Sequence, residues 1–387
     1  MYPALAVLQT LYDLTKQETS LTNNEYHSSN QVDLSSLWVG GIGGMEKELV
    51  CRAGIPYQEI SAAGLHGVGW KRIPGNLYRL GVGVLGARKI LKQFQPNVIF
   101  FTGGYLAFPM AVAARTLYWK KGRPRTLLYV PDIEPALALK VLARFSDQIA
   151  VTTANTRQYY PKRSHVVVTG YPTRLEHQPW INKPNRKEEA CQVFGLDSRA
   201  PVTLVFGGSK GARSINYAVL ENLSDLLKLT QIVHVTGNLD WEDIQKWIKA
   251  HKNDELKELL TGYHPYPYLH EEMSAAFAGA DLAVCRAGAS ILGELPLFEL
   301  PAILVPYPHA WRYQQTNAQY LVQQDAAVMI DDAALPQQLI PMVRDLITHS
   351  EKLGKMRQAM KRLAKPNAAN DIAQLIFAAA SSRGGTL

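Results

Sequence analysis

At 387 residues, 47% hydrophobic and 19% charged, with 28 Gly and 22 Pro spread along it, the chain exceeds what one core ordinarily supports; disordered and fibrous classes are excluded and two α/β domains are predicted. Its three dispersed cysteines, Cys51, Cys191 and Cys285, form neither a CxxC pair nor a Cys/His cluster, which argues against disulfides and a bound metal and for a reducing cytoplasm. The net charge is +8, and neither a run of about 18 apolar residues nor a basic-then-apolar leader occurs, so a soluble or membrane-peripheral protein is expected.

The first short apolar run, Leu37 to Val39, reads as a strand. Between Glu59 and Asp132 there is no acidic residue, whereas eleven Lys and Arg occur: Lys71, Arg72, Arg79, Arg88, Lys89, Lys92, Arg115, Lys120, Lys121, Arg123 and Arg125. Interleaved with Leu77, Tyr78, Leu80, Leu85 and Trp119, this one-sign field suits an anionic membrane surface or a phosphate-rich ligand, with a plain solvated basic face as the alternative; nucleic acid is not an expected partner. Inside it Gly81, Gly83 and Gly86 spell GxGxxG. No strand precedes them and the stretch has helical character, so small-residue helix packing is expected rather than a dinucleotide loop.

Val98 to Phe101, Thr126 to Val130 and Val166 to Val168 continue the series of apolar runs, each followed by a turn and a helical pattern. That rhythm predicts βα units whose strands are buried on both faces of a parallel sheet. Gly170, Tyr171 and Pro172 end the first series, and the stretch from His177 to Ala190, rich in Pro, Asn and charge, reads as the entry to a second domain.

A second series begins at Val202 to Phe206. It runs straight into Gly207 to Asn216, where glycines allow close backbone approach and a helix start offers free N–H groups to an anion, although the spacing is not that of a Walker lysine. After Ile232 to Val235 comes Leu282 to Cys285, whose turn Arg286-Ala287-Gly288-Ala289-Ser290 repeats the arrangement. Glu294 lies four residues beyond Ser290, on the same helix face, where its carboxylate can accept hydrogen bonds from both hydroxyls of a ribose. Ala302 to Val305 leads through Pro306, Tyr307, Pro308 and His309 to Gln314 and Asn317, whose amides offer donor and acceptor together to sugar hydroxyls. Each turn alone has a bland reading; three at the carboxyl edge of one sheet point to a ligand. Ser350 to Ala380 has helical periodicity broken at Pro366.

On these residues the chain resembles glycosyltransferase family 28, the peptidoglycan lipid-intermediate N-acetylglucosaminyltransferases, over nearly its whole length. The matching pieces are Tyr2 to Ala6; Trp38-Val39-Gly40 with Glu46, Leu49 and Val50; Gly103-Gly104-Tyr105 with Pro109; Thr169 to Arg174; Gly207 to Asn216; Arg286 to Glu294; and His309 with Gln314 and Asn317.

The resemblance implies an α/β fold of two Rossmann-like domains facing a cleft, the GT-B architecture. An acceptor-binding, membrane-associating domain would span 1–171, a UDP-sugar domain 172–353, and a helical segment 354–387 would pack back on the first. It implies inverting transfer from UDP-N-acetylglucosamine without a cofactor or metal, to a polyisoprenyl-diphosphate acceptor, at the cytoplasmic face of an anionic membrane. Carried over residue by residue, Glu294 would hold the ribose, while Ser209 and the turn Ala289, Ser290 and Ile291 would hold the diphosphate. Arg174 would lie at the phosphates, Gln314 and Asn317 at the sugar hydroxyls, and His270 beside uracil, with Gly103, Gly104 and Tyr105 on the acceptor side.

Two departures bear on the chemistry. The family's Gly-Gly-Thr-Gly-Gly-His loop, with its histidine base, would precede Met1, so the reading frame is expected to extend upstream. Tyr129-Val130-Pro131-Asp132-Ile133-Glu134 stands where the family resembles His-Glu-Gln-Asn, which opens the acceptor's identity and makes Asp132 or Glu134 an alternative base, against a plain helix-capping role. A different lipid acceptor, a UDP-sugar epimerase of the same architecture and a silent binding subunit are the competing readings.

Overall fold

The computed structural model describes the chain apart from residues 23–33, 45, 62–72, 105, 118–121, 209–210, 252–253, 311 and 382–387. It divides into two compact units, one comprising Met1–Pro131, Pro135–Pro172 and Asn367–Leu387, the other Asp132–Glu134 and Thr173–Pro366.

In the first unit, β1 (Trp38–Gly41) and β2 (Tyr57–Ile60) form a parallel pair. β3 (Val98–Phe101), β4 (Arg125–Val130), β5 (Gln148–Val151) and β6 (Val166–Val168) form a parallel sheet in that order. The apolar runs are continuous because both faces are covered. Leu127 and Tyr129 of β4 pack with Val7 and Leu11 of helix Tyr2–Thr22 and Ile372 and Ala373 of helix Ala368–Ser381. Leu128 and Val130 turn to the other face, against Ala87 and Leu91 of helix Ile73–Phe94 and Met110 and Ala114 of helix Ala107–Leu117. Full burial of one such aliphatic side chain contributes roughly 1.5 to 3 kcal/mol.

The GxGxxG triplet lies inside helix Ile73–Phe94, with Gly81 already eight residues into it. Its middle glycine is a packing device: a Cβ on Gly83 would meet the Ser61 carbonyl oxygen at 2.0 Å and Pro109 at 3.2 Å.

The second unit carries six parallel strands in the order β12-β11-β10-β7-β8-β9. These are β7 (Val202–Phe206), β8 (Gln231–Val235), β9 (Tyr263–Tyr266), β10 (Leu282–Cys285), β11 (Ala302–Leu304) and β12 (Ala327–Met329). Winding proceeds from β7 outward through β8 and β9, then returns to the other side of β7 with β10. The strand order therefore reverses between β7 and β10, the position at which open α/β sheets bind ligands outside their carboxyl ends.

The carboxyl-terminal boundary falls at Pro366 rather than at residue 353. Helix Ser350–Leu363 packs on helices Ile291–Leu297 and Leu335–Thr348 of the second unit, and only helix Ala368–Ser381 joins the first. Pro366 sits between them, where a residue without an N–H cannot continue a helix.

Candidate active site

Two turns leave the sheet at the point of reversal. After β7 the chain closes a tight turn in which the Gly211 N–H donates to the Gly208 carbonyl at 2.8 Å, and helix Arg213–Glu221 follows. Gly211 has φ +84°, and a Cβ there would meet the Thr236 carbonyl oxygen at 2.2 Å, so the turn tolerates no side chain at this position. Ser209, assigned to the diphosphate, lies outside the described residues, as does Tyr105.

A fully buried polar network supports this turn. Asn216 donates through Nδ2 to the Thr236 carbonyl at 2.9 Å and to Asp240 Oδ2 at 2.8 Å, which leaves its Oδ1 to accept from His234 Nε2 at 3.0 Å. With the imidazole proton thereby fixed on Nε2, Nδ1 accepts from the Tyr263 hydroxyl at 2.9 Å. Burial pushes the His234 pKa down to about 3 and the Tyr263 phenol up, so both stay neutral.

After β10 the turn is fixed by Arg286. Its guanidinium donates to the Val305 carbonyl at 3.1 Å and Ser214 Oγ at 2.7 Å, pairs with Asp332, and lies over the Tyr307 ring at 5.2 Å. Arg286 thus ties together the carboxyl ends of β10 and β11, the residue run after β12 and the helix after β7. Beyond it, the N–H groups of Ala289 and Ser290 donate to no acceptor among the described residues, whereas that of Ile291 is bonded to the Gly288 carbonyl at 3.2 Å.

Helix Ile291–Leu297 buries Glu294, which is 8% exposed. Burial would raise its pKa, but contact with His177, the Arg174 charge and a hydrogen bond with Ser290 outweigh that and hold the carboxyl below its ordinary range. Glu294, Ser290 and Arg174 are therefore brought together.

The other assigned residues are placed differently. Asn317 is fully buried and committed: its Nδ2 donates to Asp132 Oδ1 at 2.9 Å and the Ala287 carbonyl at 3.1 Å, and its Oδ1 accepts from the Ile133 N–H at 3.1 Å. Instead of presenting its amide, Asn317 holds the Asp132–Glu134 segment beside the turn after β10. Gln314 accepts from the Tyr307 N–H at 2.9 Å, and among the described residues its amide nitrogen donates to no acceptor. His270 lies beyond the edge strand β9 with an exposed ring against Tyr268 at 4.7 Å. In the first unit, Gly103 and Gly104 follow β3 with φ of +105° and +84°.

The two carboxylates considered as bases differ in state. Burial raises the Asp132 pKa against the opposing hydrogen bond from Asn317, whereas Glu134 is paired with Arg312 at 3.1 Å. Among the described residues no cluster of three or more His, Cys, Asp and Glu side chains could hold a metal ion.

The model of the glycosyltransferase family 28 N-terminal domain matches residues 26–121 and that of the C-terminal domain residues 202–376. A Roseiflexus sp. (strain RS-1) protein named UDP-N-acetylglucosamine--N-acetylmuramyl-(pentapeptide) pyrophosphoryl-undecaprenol N-acetylglucosamine transferase is 35% identical, over 97% of this chain and 91% of its own length. The chain belongs to glycosyltransferase family 28. A like-named family member from Desulforamulus reducens is 32% identical over 97% of this chain and 94% of its own. Among solved structures, MurG of Acinetobacter baumannii has the same fold with a TM-score of 0.68 at 23% identity, covering 97% of this chain and 95% of that one. The UDP-GlcNAc 2-epimerase of Neisseria meningitidis also shares the fold, with a TM-score of 0.61 at 14% identity and 97% of each chain covered. The GT-B fold class expected for family 28 is therefore present, and the family, rather than the fold, separates a transferase from an epimerase.

Proposed function

We propose that this family 28 enzyme transfers N-acetylglucosamine from UDP-N-acetylglucosamine to a polyisoprenyl-diphosphate-linked N-acetylmuramyl-peptide. The observation that carries the donor reading is the meeting of the Gly207–Ala212 turn and the Arg286–Glu294 segment at the reversal of strand order in the second unit. In this reading the ionised Glu294 accepts hydrogen bonds from the ribose hydroxyls. The open N–H groups of Ala289 and Ser290, with Ser209 and the Arg174 charge, receive the diphosphate, and Gln314 offers its amide to the sugar. His270 would flank uracil.

The acceptor hydroxyl oxygen attacks the anomeric carbon as the bond to the diphosphate breaks; UDP leaves with the electron pair and the hydroxyl proton passes to a base. Of the two carboxylates, Asp132 fits that role better, because burial raises its pKa and with it its basicity, while Glu134 is held by Arg312. Donors aimed at the departing diphosphate stabilise the charge that develops there. No cofactor is assigned.

Membrane contact has its own support in the first unit. Tyr78, Val82 and Leu85, exposed by 75%, 42% and 68%, recur at helical spacing on Ile73–Phe94. Lys89 and Lys92 extend the same face and Arg79 and Arg88 flank it, the pattern of a helix lying in an anionic interface. Gly103, Gly104 and Tyr105 are proposed for the acceptor side of the reaction, at the cytoplasmic face of the membrane.

Glu294→Ala tests the donor reading by calorimetry. Loss of charge-assisted hydrogen bonds worth about 1.5 to 3 kcal/mol each should weaken UDP binding roughly tenfold or more. Unchanged affinity in a folded variant contradicts the ribose assignment.

A further inference from the structure

The carboxylate assigned to the ribose is not held by its own helix alone. His177, in the turn Leu175–His177, is 1% exposed, and its Nε2 faces Glu294 Oε1 at 3.6 Å, just beyond hydrogen-bond reach. Among the described residues this buried nitrogen has no hydrogen-bond partner within ordinary limits. The opposite ring nitrogen, Nδ1, lies 2.8 Å from Oγ of Ser274, itself 1% exposed on helix Glu272–Gly279. Phe277 and Phe298 clamp the imidazole edge-on, with ring centroids at 5.7 Å and 5.2 Å and interplanar angles of 90° and 82°.

These contacts fix the ring in one orientation. If Ser274 donates to Nδ1, the proton of the neutral imidazole resides on Nε2 and points at the carboxylate; a protonated ring places a proton there as well. A buried histidine ring nitrogen with an open hydrogen-bonding position, aimed at a buried carboxylate, is costly unless something draws the two together. A ligand that pulls on the carboxylate from its other side does so, because hydrogen bonds in a chain polarise one another.

We propose that Ser274 and His177 form a relay that orients Glu294 for the two ribose hydroxyls, making His177 a positioning residue through which the enzyme distinguishes a ribonucleotide donor from its deoxy analogues. The inference rests on the reading of Glu294 as the ribose ligand. His177 touches no substrate itself. It acts by holding the carboxylate in the one rotamer that accepts from both hydroxyls, while Arg174 and Ser290 supply the remaining contacts.

Calorimetry with UDP and with 2′,3′-dideoxyuridine 5′-diphosphate tests both levels. The parent protein should prefer UDP. His177→Leu should lose roughly tenfold in UDP affinity, as expected for a charge-assisted contact, while the dideoxy ligand changes by less than about twofold. His177→Gln, which keeps an N–H near the Nε2 position, should restore most of the preference. Retention of the parent's UDP preference in His177→Leu, or an equal weakening of both ligands, overturns the relay and leaves His177 a packing residue. A parent protein that binds both ligands alike refutes the ribose assignment, and the relay falls with it. Should His177→Leu not fold, Ser274→Ala carries the test: it removes the group that fixes the ring, and the UDP preference should shrink; an unchanged preference overturns the proposal.

Discussion

The buried His234 network predicts a stability difference that depends on pH in a stated direction. His234→Leu leaves the Tyr263 hydroxyl and Asn216 Oδ1 without their partner, at about 1 to 3 kcal/mol each; after the leucine's own burial a net loss of about 2 to 4 kcal/mol is expected near pH 7.5. The histidine has its own cost in acid. Its folded-state pKa is depressed from 6.5 to about 3, so below pH 6.5 the unfolded chain takes up a proton that the folded chain refuses. Stability therefore falls with falling pH, by about 1.4 kcal/mol per pH unit, until the folded value is reached. At pH 4.5 the parent has lost about 2.7 kcal/mol through this residue, and the leucine variant has lost none of it. Urea unfolding of both proteins at pH 7.5 and 4.5 measures the gap, with other titrating groups cancelling in the difference. The gap should shrink to about 1 kcal/mol or less, or change sign, in acid. An equal gap at both values would refute the assignment of His234 as a neutral, doubly bonded core residue.

Asp147 should behave in the opposite sense to an unpaired carboxylate: burial would raise its pKa, but the paired hydrogen bonds from Arg123 and those of Thr126 lower it, so its contribution is present above about pH 4 and vanishes as pH falls through the depressed value. Asp147→Asn should cost about 2 kcal/mol at neutral pH and nothing measurable well below the depressed value, by thermal unfolding across that range. Combined Arg79→Glu, Arg88→Glu and Lys92→Glu should release the protein from anionic vesicles, each well-placed cation contributing on the order of 1 kcal/mol, and binding should fall as salt rises; equal binding to neutral vesicles at high salt would argue for a purely apolar anchor. Asp132→Asn should lower turnover by about 10² to 10⁴ while UDP affinity stays near the parent value, and turnover close to the parent's would remove Asp132 from consideration as base.

The sheet cores were legible because their strands are buried on both faces: the runs at Val202 to Phe206 and Leu282 to Cys285 are apolar without interruption, and the glycine turns after them mark carboxyl ends. The strands with polar residues were not. β2 reads Tyr-Gln-Glu-Ile and β9 reads Tyr-His-Pro-Tyr, edge segments whose polar side chains carry no period that a single sequence reveals. The placement of Glu294 beside Ser290 was legible from their spacing on one helix face. Asn317 was read as a ligand amide because nothing local shows that a segment 184 residues earlier would occupy it. His177 had no signal at all, since its meaning comes from Ser274 and Glu294, which the sequence places far from it. Arg286 stood at the head of a recognised motif, but its tie to Val305, Ser214 and Asp332 is a product of the sheet order.

The central claim is that this family 28 chain moves N-acetylglucosamine onto a lipid-linked muramyl-peptide. Incubation with UDP-N-acetylglucosamine radiolabelled in the sugar, with and without the polyisoprenyl-diphosphate N-acetylmuramyl-peptide, followed by extraction of the lipid phase, tests it most directly. Label should enter the lipid phase only when the acceptor is present, with UDP released in equal amount. Conversion of the labelled sugar to its epimer without acceptor, or no label in the lipid phase from a protein that binds UDP, would contradict it.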